Sequence, residues 1–308
     1  MNAFSPLDPS LLSQRLQHPG KKISLVLDTD TYNEVDDQFA LAYALRSPEA
    51  IELEAIYAAP FHNSRSSGPE EGMELSYNEI LNVLDRLGES KDDHQIFKGS
   101  KCYLPAADQP VDSPAARDLV ARAMARSPED APLYVAAIGA ITNIASALLM
   151  EPKIRERIVI LWLGGHARIN PSTNEFNLKQ DVWAAQIVFD CGVPLIWFPC
   201  NGMASHLSTT LAELEKDLKG RSAIGDYLVD IVKDYHPDHF AWGKVIWDLA
   251  PIAWLVNPGW VPSVIASSPI LTDDMTWELD PNRHSVCETY LIHRNGVFTD
   301  VFKKLAKA

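Results

Sequence analysis

The sequence predicts an α/β fold with a mostly parallel central sheet flanked by helices. Two features predict it. Short, near-continuous apolar runs, the signature of strands buried on both faces, alternate with longer segments of helical periodicity. Several runs also end directly on Asp or Gly, where a parallel strand gives way to a turn.

In chain order, Ile23–Leu27 reads as a buried strand ending at Asp28. Asp36–Leu45 follows as a helix with acidic residues in its first turn. Ile51–Ala58 is a second strand, and Glu74–Leu87 a helix on the spacing of its leucines and Ile80. Leu133–Ile138 is a strand that runs through Gly139 into a helix over Thr142–Met150. Arg157–Leu163 is closed by Gly164 and Gly165, Asp181–Phe189 reads as a helix, and Pro194–Phe198 as a strand. Helices are expected over Thr210–Leu218, Ala223–Asp234 and Trp247–Leu255. Past Ile270 the pattern alternates (Thr276–Leu279, Val286–Ile292), which predicts a small antiparallel excursion.

With 308 residues, 46% of them hydrophobic, the chain can bury a large core. No Gly/Ser-rich linker, low-complexity tract or fixed-period repeat divides it, so residues 1–308 are expected to form a single domain. A net charge of −14, with Lys and Arg scattered, excludes a nucleic-acid binder. Cys102, Cys191, Cys200 and Cys287 form no C-x-x-C pair and read as reduced thiols. The first twenty residues lack the apolar core of a signal peptide, and no run approaches the ~18 apolar residues of a membrane span. A soluble cytoplasmic protein is the expectation.

The chemistry concentrates where the first strand ends. Asp28-Thr29-Asp30-Thr31-Tyr32-Asn33-Glu34-Val35-Asp36-Asp37 places five carboxylates in ten residues. Like charges this close repel, and without a counter-ion some must hold a proton. A hard divalent cation relieves the conflict, because Ca²⁺ takes six to eight oxygen ligands. The competing interpretation is a helix cap plus a solvated acidic loop. An EF-hand is excluded by the missing Gly and terminal Glu, and a phosphate loop by the missing glycine run and the sign of the charge.

This segment resembles the inosine-uridine preferring nucleoside hydrolase family, which opens with a strand, D-x-D-x-x-x-D-D and an apolar helix. Here Asp28, Asp30, Asp36 and Asp37 precede Gln38-Phe39-Ala40-Leu41, with five residues rather than three between the pairs. Three later segments match in order. Ala136–Ala145 resembles a strand, loop and helix in which a threonine carbonyl ligates calcium. Leu163-Gly164-Gly165, Asn170 and Glu175-Phe176-Asn177 resemble a ribose-binding loop, followed by Asp181–Ala185 at a helix start. Trp247-Asp248-Leu249-Ala250 resembles the segment supplying the last metal carboxylate.

The resemblance implies a nucleoside hydrolase-like fold and a calcium-dependent N-ribohydrolase. It implies Asp30, Asp37, Asp248 and the Thr142 carbonyl as Ca²⁺ ligands, and Asp36 as the base that deprotonates the attacking water. Asp28 would support the loop; Asn170, Glu175 and Asn177 would hold the ribose hydroxyls. The family also implies a homo-oligomer, a dimer or tetramer, acting on a small-molecule ribonucleoside. Such cleavage passes through an oxocarbenium-like sugar, stabilised by positioning and by the chelated vicinal hydroxyls.

The base half departs from the family. Its usual histidine before the late aspartate is Trp247, which can stack on a base but is no acid. Ala59–Asn63 is followed by an insertion-like loop, Ser64–Gly72, and no equivalent of the histidine expected near 108–118 is present. His236, His239 and His62 are the candidate replacements. Two other functions stay open: hydrolysis of a non-standard ribosyl compound, and a calcium- and ribose-binding protein with little turnover. A haloacid dehalogenase-type phosphatase shares the D-x-D but leaves Asp36-Asp37 unexplained.

Overall fold

The computed structural model describes residues 4–308. Among these, twelve strands form: β1 (Ile23–Thr29), β2 (Ile51–Ala58), β3 (Ile96–Lys98), β4 (Leu133–Ala137), β5 (Ile158–Leu163), β6 (Leu195–Phe198), β7 (Ser208–Thr209), β8 (Lys244–Val245), β9 (Ser263–Ser267), β10 (Ile270–Leu271), β11 (Trp277–Glu278) and β12 (Ser285–Thr289). Eight of them build one sheet in the order β3-β2-β1-β4-β5-β6-β12-β9. Every pairing in it is parallel except β12 with β9.

Alternate side chains of each central strand enter opposite apolar layers, as the pleat requires. Leu25 and Leu27 of β1, with Val159, Leu161 and Leu163 of β5, face one layer. Val26, Ile158, Ile160 and Trp162 face the other. Helices α2 (Asp37–Leu45), α9 (Ala223–Tyr235), α10 (Leu249–Val256) and α11 (Arg294–Leu305) contribute to the first layer, and α4 (Pro114–Met124), α5 (Thr142–Met150) and α7 (Val182–Asp190) to the second. Two-sided burial explains why these strands read as unbroken apolar runs.

Two expectations change. The helix expected from Glu74 is α3, Pro69–Arg86, which absorbs the end of the supposed 64–72 loop. Gly68 precedes it, Pro69 opens it, and Glu70 and Glu71 favour its positive end. The antiparallel excursion is real in the β10–β11 pair, but the strand inside Val286–Ile292 is β12, parallel to β6 in the main sheet. Its antiparallel neighbour β9 carries no recognisable alternation because it is the sheet edge, with Val264 and Ile265 exposed. The four cysteines are free, three of them buried. No helix among the described residues is long and apolar enough to cross a membrane.

Candidate active site

From β1 the chain winds outward to β2 and β3, then crosses back to β4 on β1's other side and continues to β5 and β6. The direction of winding reverses between β1 and β4, so the loops leaving their carboxyl ends diverge and open a crevice. Both flanking strands fix the floor: Ile138 N–H donates to the Asp28 carbonyl (2.9 Å) and Ala59 N–H to the Thr29 carbonyl (2.8 Å). A cleft of about 250 Å³ lies there, bordered by Asp30, Asp36, Asp37, Asp248, Glu175 and Asn177 among others.

The aspartates are not helix caps. Asp36 precedes α2 and Asp248 precedes α10, yet neither side chain makes a capping hydrogen bond. One carboxylate oxygen each of Asp36, Asp37 and Asp248 lies within 4.8 Å of the other two. Thr29 Oγ1 donates to Asp37 Oδ1 (2.5 Å), and the Trp247 N–H to Asp36 Oδ2 (3.1 Å). Asp30 packs beside Gly139, where a Cβ would meet its carboxylate carbon at 3.0 Å. Asp28 lies behind the cleft, with Asn143 Nδ2 donating to its Oδ1 (2.7 Å).

Burial dominates the electrostatics. It pushes Asp28 and Asp37 up to about 7 and Asp36 up to about 6. Asp30 and Asp248 rise well above the ordinary carboxylate range, first through burial and then through their charged neighbours. Lys244 opposes this for Asp36, and its own ammonium is held charged by Asp36 and Glu34 despite burial. Both oxygens of Asp30, and Oδ2 of Asp28, are buried with no hydrogen-bond partner. Such orphaned acceptors cost about 1–3 kcal/mol or more each. An all-oxygen, strongly anionic donor set with unpartnered lone pairs fits a hard divalent cation.

A different set of groups lines the rest of the cleft. Glu175 precedes α6 (Phe176–Gln180) and accepts from the N–H groups of Gly165 (2.9 Å), Asn177 (3.0 Å) and Leu178 (3.1 Å). Burial raises its pKa and those three donors oppose the rise. Asn177 Nδ2 spans the carbonyls of Ile138 (3.1 Å) and Leu163 (3.0 Å), tying β4 to β5 and leaving Oδ1 for a ligand. These are rigid acceptors of the kind that orient hydroxyls.

Not every expected residue arrives. Asn170 turns its amide to the carbonyls of Ala167 (3.1 Å) and Asn201 (3.4 Å) and lies outside the cleft lining. Asn174, four residues on, borders the cleft instead. Thr142 is buried behind the lining, its hydroxyl donating to Asp181 Oδ2 (2.7 Å). Trp247 does border it. His236 stacks on Trp242 (5.1 Å between ring centroids), and neither it, His239 nor His62 reaches the cleft. The histidine that does is His166, directly after the Gly164-Gly165 turn, with Asn201 beside it. Adjacency to Gly164-Gly165 is the one signal for it in the sequence.

The buried carboxylates thus lie at the switch point of a doubly wound sheet, where such sheets bind their ligands, and a glutamate–asparagine pair faces them. Residues 25–294 match the family described as inosine-uridine preferring nucleoside hydrolase, and the chain belongs to that family. It is 28% identical over 254 residues to a pyrimidine-specific ribonucleoside hydrolase of Citrobacter koseri, spanning 72% of this chain and 76% of that one. A pyrimidine-specific ribonucleoside hydrolase of Escherichia coli O81 is 28% identical over 271 residues, 77% of this chain and 80% of its own. Among solved structures, a plant nucleoside hydrolase superposes with a TM-score of 0.75 at 20% identity, covering 94% of this chain and all of that one. A purine-preferring ribonucleoside hydrolase from Gardnerella vaginalis gives 0.69 at 21% identity, covering 92% and 99%.

Proposed function

We propose that this protein hydrolyses the N-glycosidic bond of a ribonucleoside to ribose and free base, and that it needs Ca²⁺ to do so. Two observations carry the proposal: carboxylate oxygens of Asp36, Asp37 and Asp248 gathered within 4.8 Å of one another, and Asp30 in the same cleft with both oxygens unpartnered. Asp30, Asp37 and Asp248 would hold the cation; Thr142, behind the lining, serves this reading through its hydroxyl, which donates to Asp181. When bound, the cation supplies Lewis acidity toward water and a chelate for two vicinal hydroxyls.

The chain's own groups do the remainder. Asp36, with a pKa of about 6, is largely ionised at neutral pH and accepts the proton of the attacking water. The Trp247 N–H fixes its carboxylate, and Lys244 keeps it charged. Glu175 and the free Asn177 Oδ1 receive ribose hydroxyls, so positioning lowers the barrier. Asp28 holds the loop through Asn143. Asn170 serves this reading only as a turn residue. Trp247 offers an indole face to the base.

One observation favours Asp30 as the base: its oxygens are free, whereas Asp36 already accepts one hydrogen bond. Asp36→Asn separates the two. Loss of roughly 100-fold or more in kcat with calcium affinity retained supports Asp36. A variant keeping more than about a tenth of wild-type kcat transfers the role to Asp30. Calcium binding with no ribose release from any common ribonucleoside would point to a non-standard ribosyl substrate or a binding protein.

A further inference from the structure

We propose that His166 is the residue that assists the departing base, its Nε2–H donating a hydrogen bond to the base atom that gathers negative charge. The inference rests on the N-ribohydrolase reading above. Breaking the C1′–N bond leaves the electron pair on the base, while water oxygen bonds to C1′ and its proton passes to a carboxylate of the cluster. Some group must stabilise the base until solvent protonates it. Trp247 stands where such a group was expected and supplies no acid.

Among the described residues His166 is the one histidine bordering the cleft. Its place is fixed on all sides. Gly165 turns the chain at φ 71°, a left-handed conformation suited to glycine. The His166 N–H donates to Thr173 Oγ1 (2.8 Å), and Trp277 Nε1 donates to the His166 carbonyl (2.8 Å). On the ring, Nδ1 accepts from the backbone N–H of Asn201 (3.3 Å). An acceptor at Nδ1 places the proton of the neutral imidazole on Nε2. The neighbour of Nε2 is the Asn201 side-chain amide, Nδ2 at 3.3 Å; a proton on Nε2 requires that amide to be turned so that its Oδ1 accepts, and Asn201 is an exposed residue that an incoming acceptor can displace. Burial lowers the His166 pKa, which favours the neutral ring.

The test compares leaving groups on the calcium-loaded enzyme. A ribonucleoside whose base departs as a poor anion needs the donor, while the 4-nitrophenolate of 4-nitrophenyl β-D-ribofuranoside departs unaided. His166→Ala is expected to lower kcat on the ribonucleoside by roughly 100-fold and on the aryl riboside by less than about threefold. His166→Gln, which keeps a donor, is expected to recover part of the loss, and His166→Phe replaces the Ala variant if that one does not fold. Equal losses on both substrates, or no loss on either, would overturn the assignment. A wild-type enzyme that cleaves neither overturns the parent reading as well, whereas with one that cleaves both the comparison bears on His166 alone.

Discussion

Lys244 carries a buried ammonium 3.7 Å from Asp36 Oδ1 and pairs it with Glu34, more than two hundred residues away in the chain. Glu34 belongs to the part of the aspartate loop that is two residues longer than the family spacing. The added length therefore has a partner: Lys244 ties the loop down and supplies the cluster's local cation. Its Nζ also donates to the Val245 carbonyl (3.0 Å), which holds it in place.

Lys244→Met is expected to remove that tether and leave Asp36 beside uncompensated charge. Kinetics should show a fall in kcat of about tenfold or more, because small misplacements of reacting groups are costly. Thermal unfolding should show a loss on the order of 2 kcal/mol, below the usual cost of breaking a buried pair because Glu34 is partly exposed. Lys244→Arg should recover part of both.

Stability should respond to pH in a direction set by the cluster. In the folded, metal-free protein Asp28, Asp36 and Asp37 hold protons up to about 7, 6 and 7. In the unfolded chain they titrate at about 3.9. Their contribution to stability is then full below the unfolded value and is lost as pH rises through the folded ones. Melting scans of chelated protein should show the melting temperature falling between about pH 4 and 7. Calcium, which binds the ionised carboxylates, should raise it most at the alkaline end. A metal-free melting temperature that does not fall over this interval would mean that the cluster is already ionised in the folded protein.

Gly139→Ala probes the packing against Asp30. A Cβ there would meet the Asp30 carboxylate carbon at 3.0 Å, Oδ1 at 3.1 Å and the Ala59 Cβ at 3.2 Å. Asp30 must shift, and calorimetry should show calcium affinity weakened by roughly tenfold. Circular dichroism should remain native. Unchanged affinity would mean that Asp30 is not a ligand.

The fold and half of the cleft were legible because local chemistry repeats there. Strands buried on both faces announce themselves as apolar runs, and Asp28, Asp30, Asp36 and Asp37 are close together in sequence. Asp248 was reachable through its segment. What could not be read depends on convergence of distant loops: Glu34 with Lys244, or His166 with Asn201. Asn170 and Asn174 are both loop asparagines; Asn170 bonds back to the Ala167 carbonyl while Asn174 borders the cleft, a difference the residue types do not carry. Short or partly exposed elements such as β3, β9 and α1 (Pro9–Arg15) lack the periodicity that marks the core.

Asn177→Ala should affect binding and stability together. It strips the Ile138 and Leu163 carbonyls of their shared donor, at about 1–3 kcal/mol for buried groups left unpaired. Steady-state assays should show KM raised along with a lowered kcat, since the same side chain offers Oδ1 to the sugar. A stability loss with kinetics unchanged would confine Asn177 to tying β4 to β5.

The most direct experiment is release of reducing ribose from a panel of ribonucleosides by wild-type protein, first stripped with a chelator and then restored with Ca²⁺. No release is expected from the stripped protein and full recovery with calcium, with 2′-deoxyribonucleosides poor substrates throughout. Equal release with and without the metal would refute a calcium-dependent hydrolase with Asp30, Asp37 and Asp248 as its metal ligands.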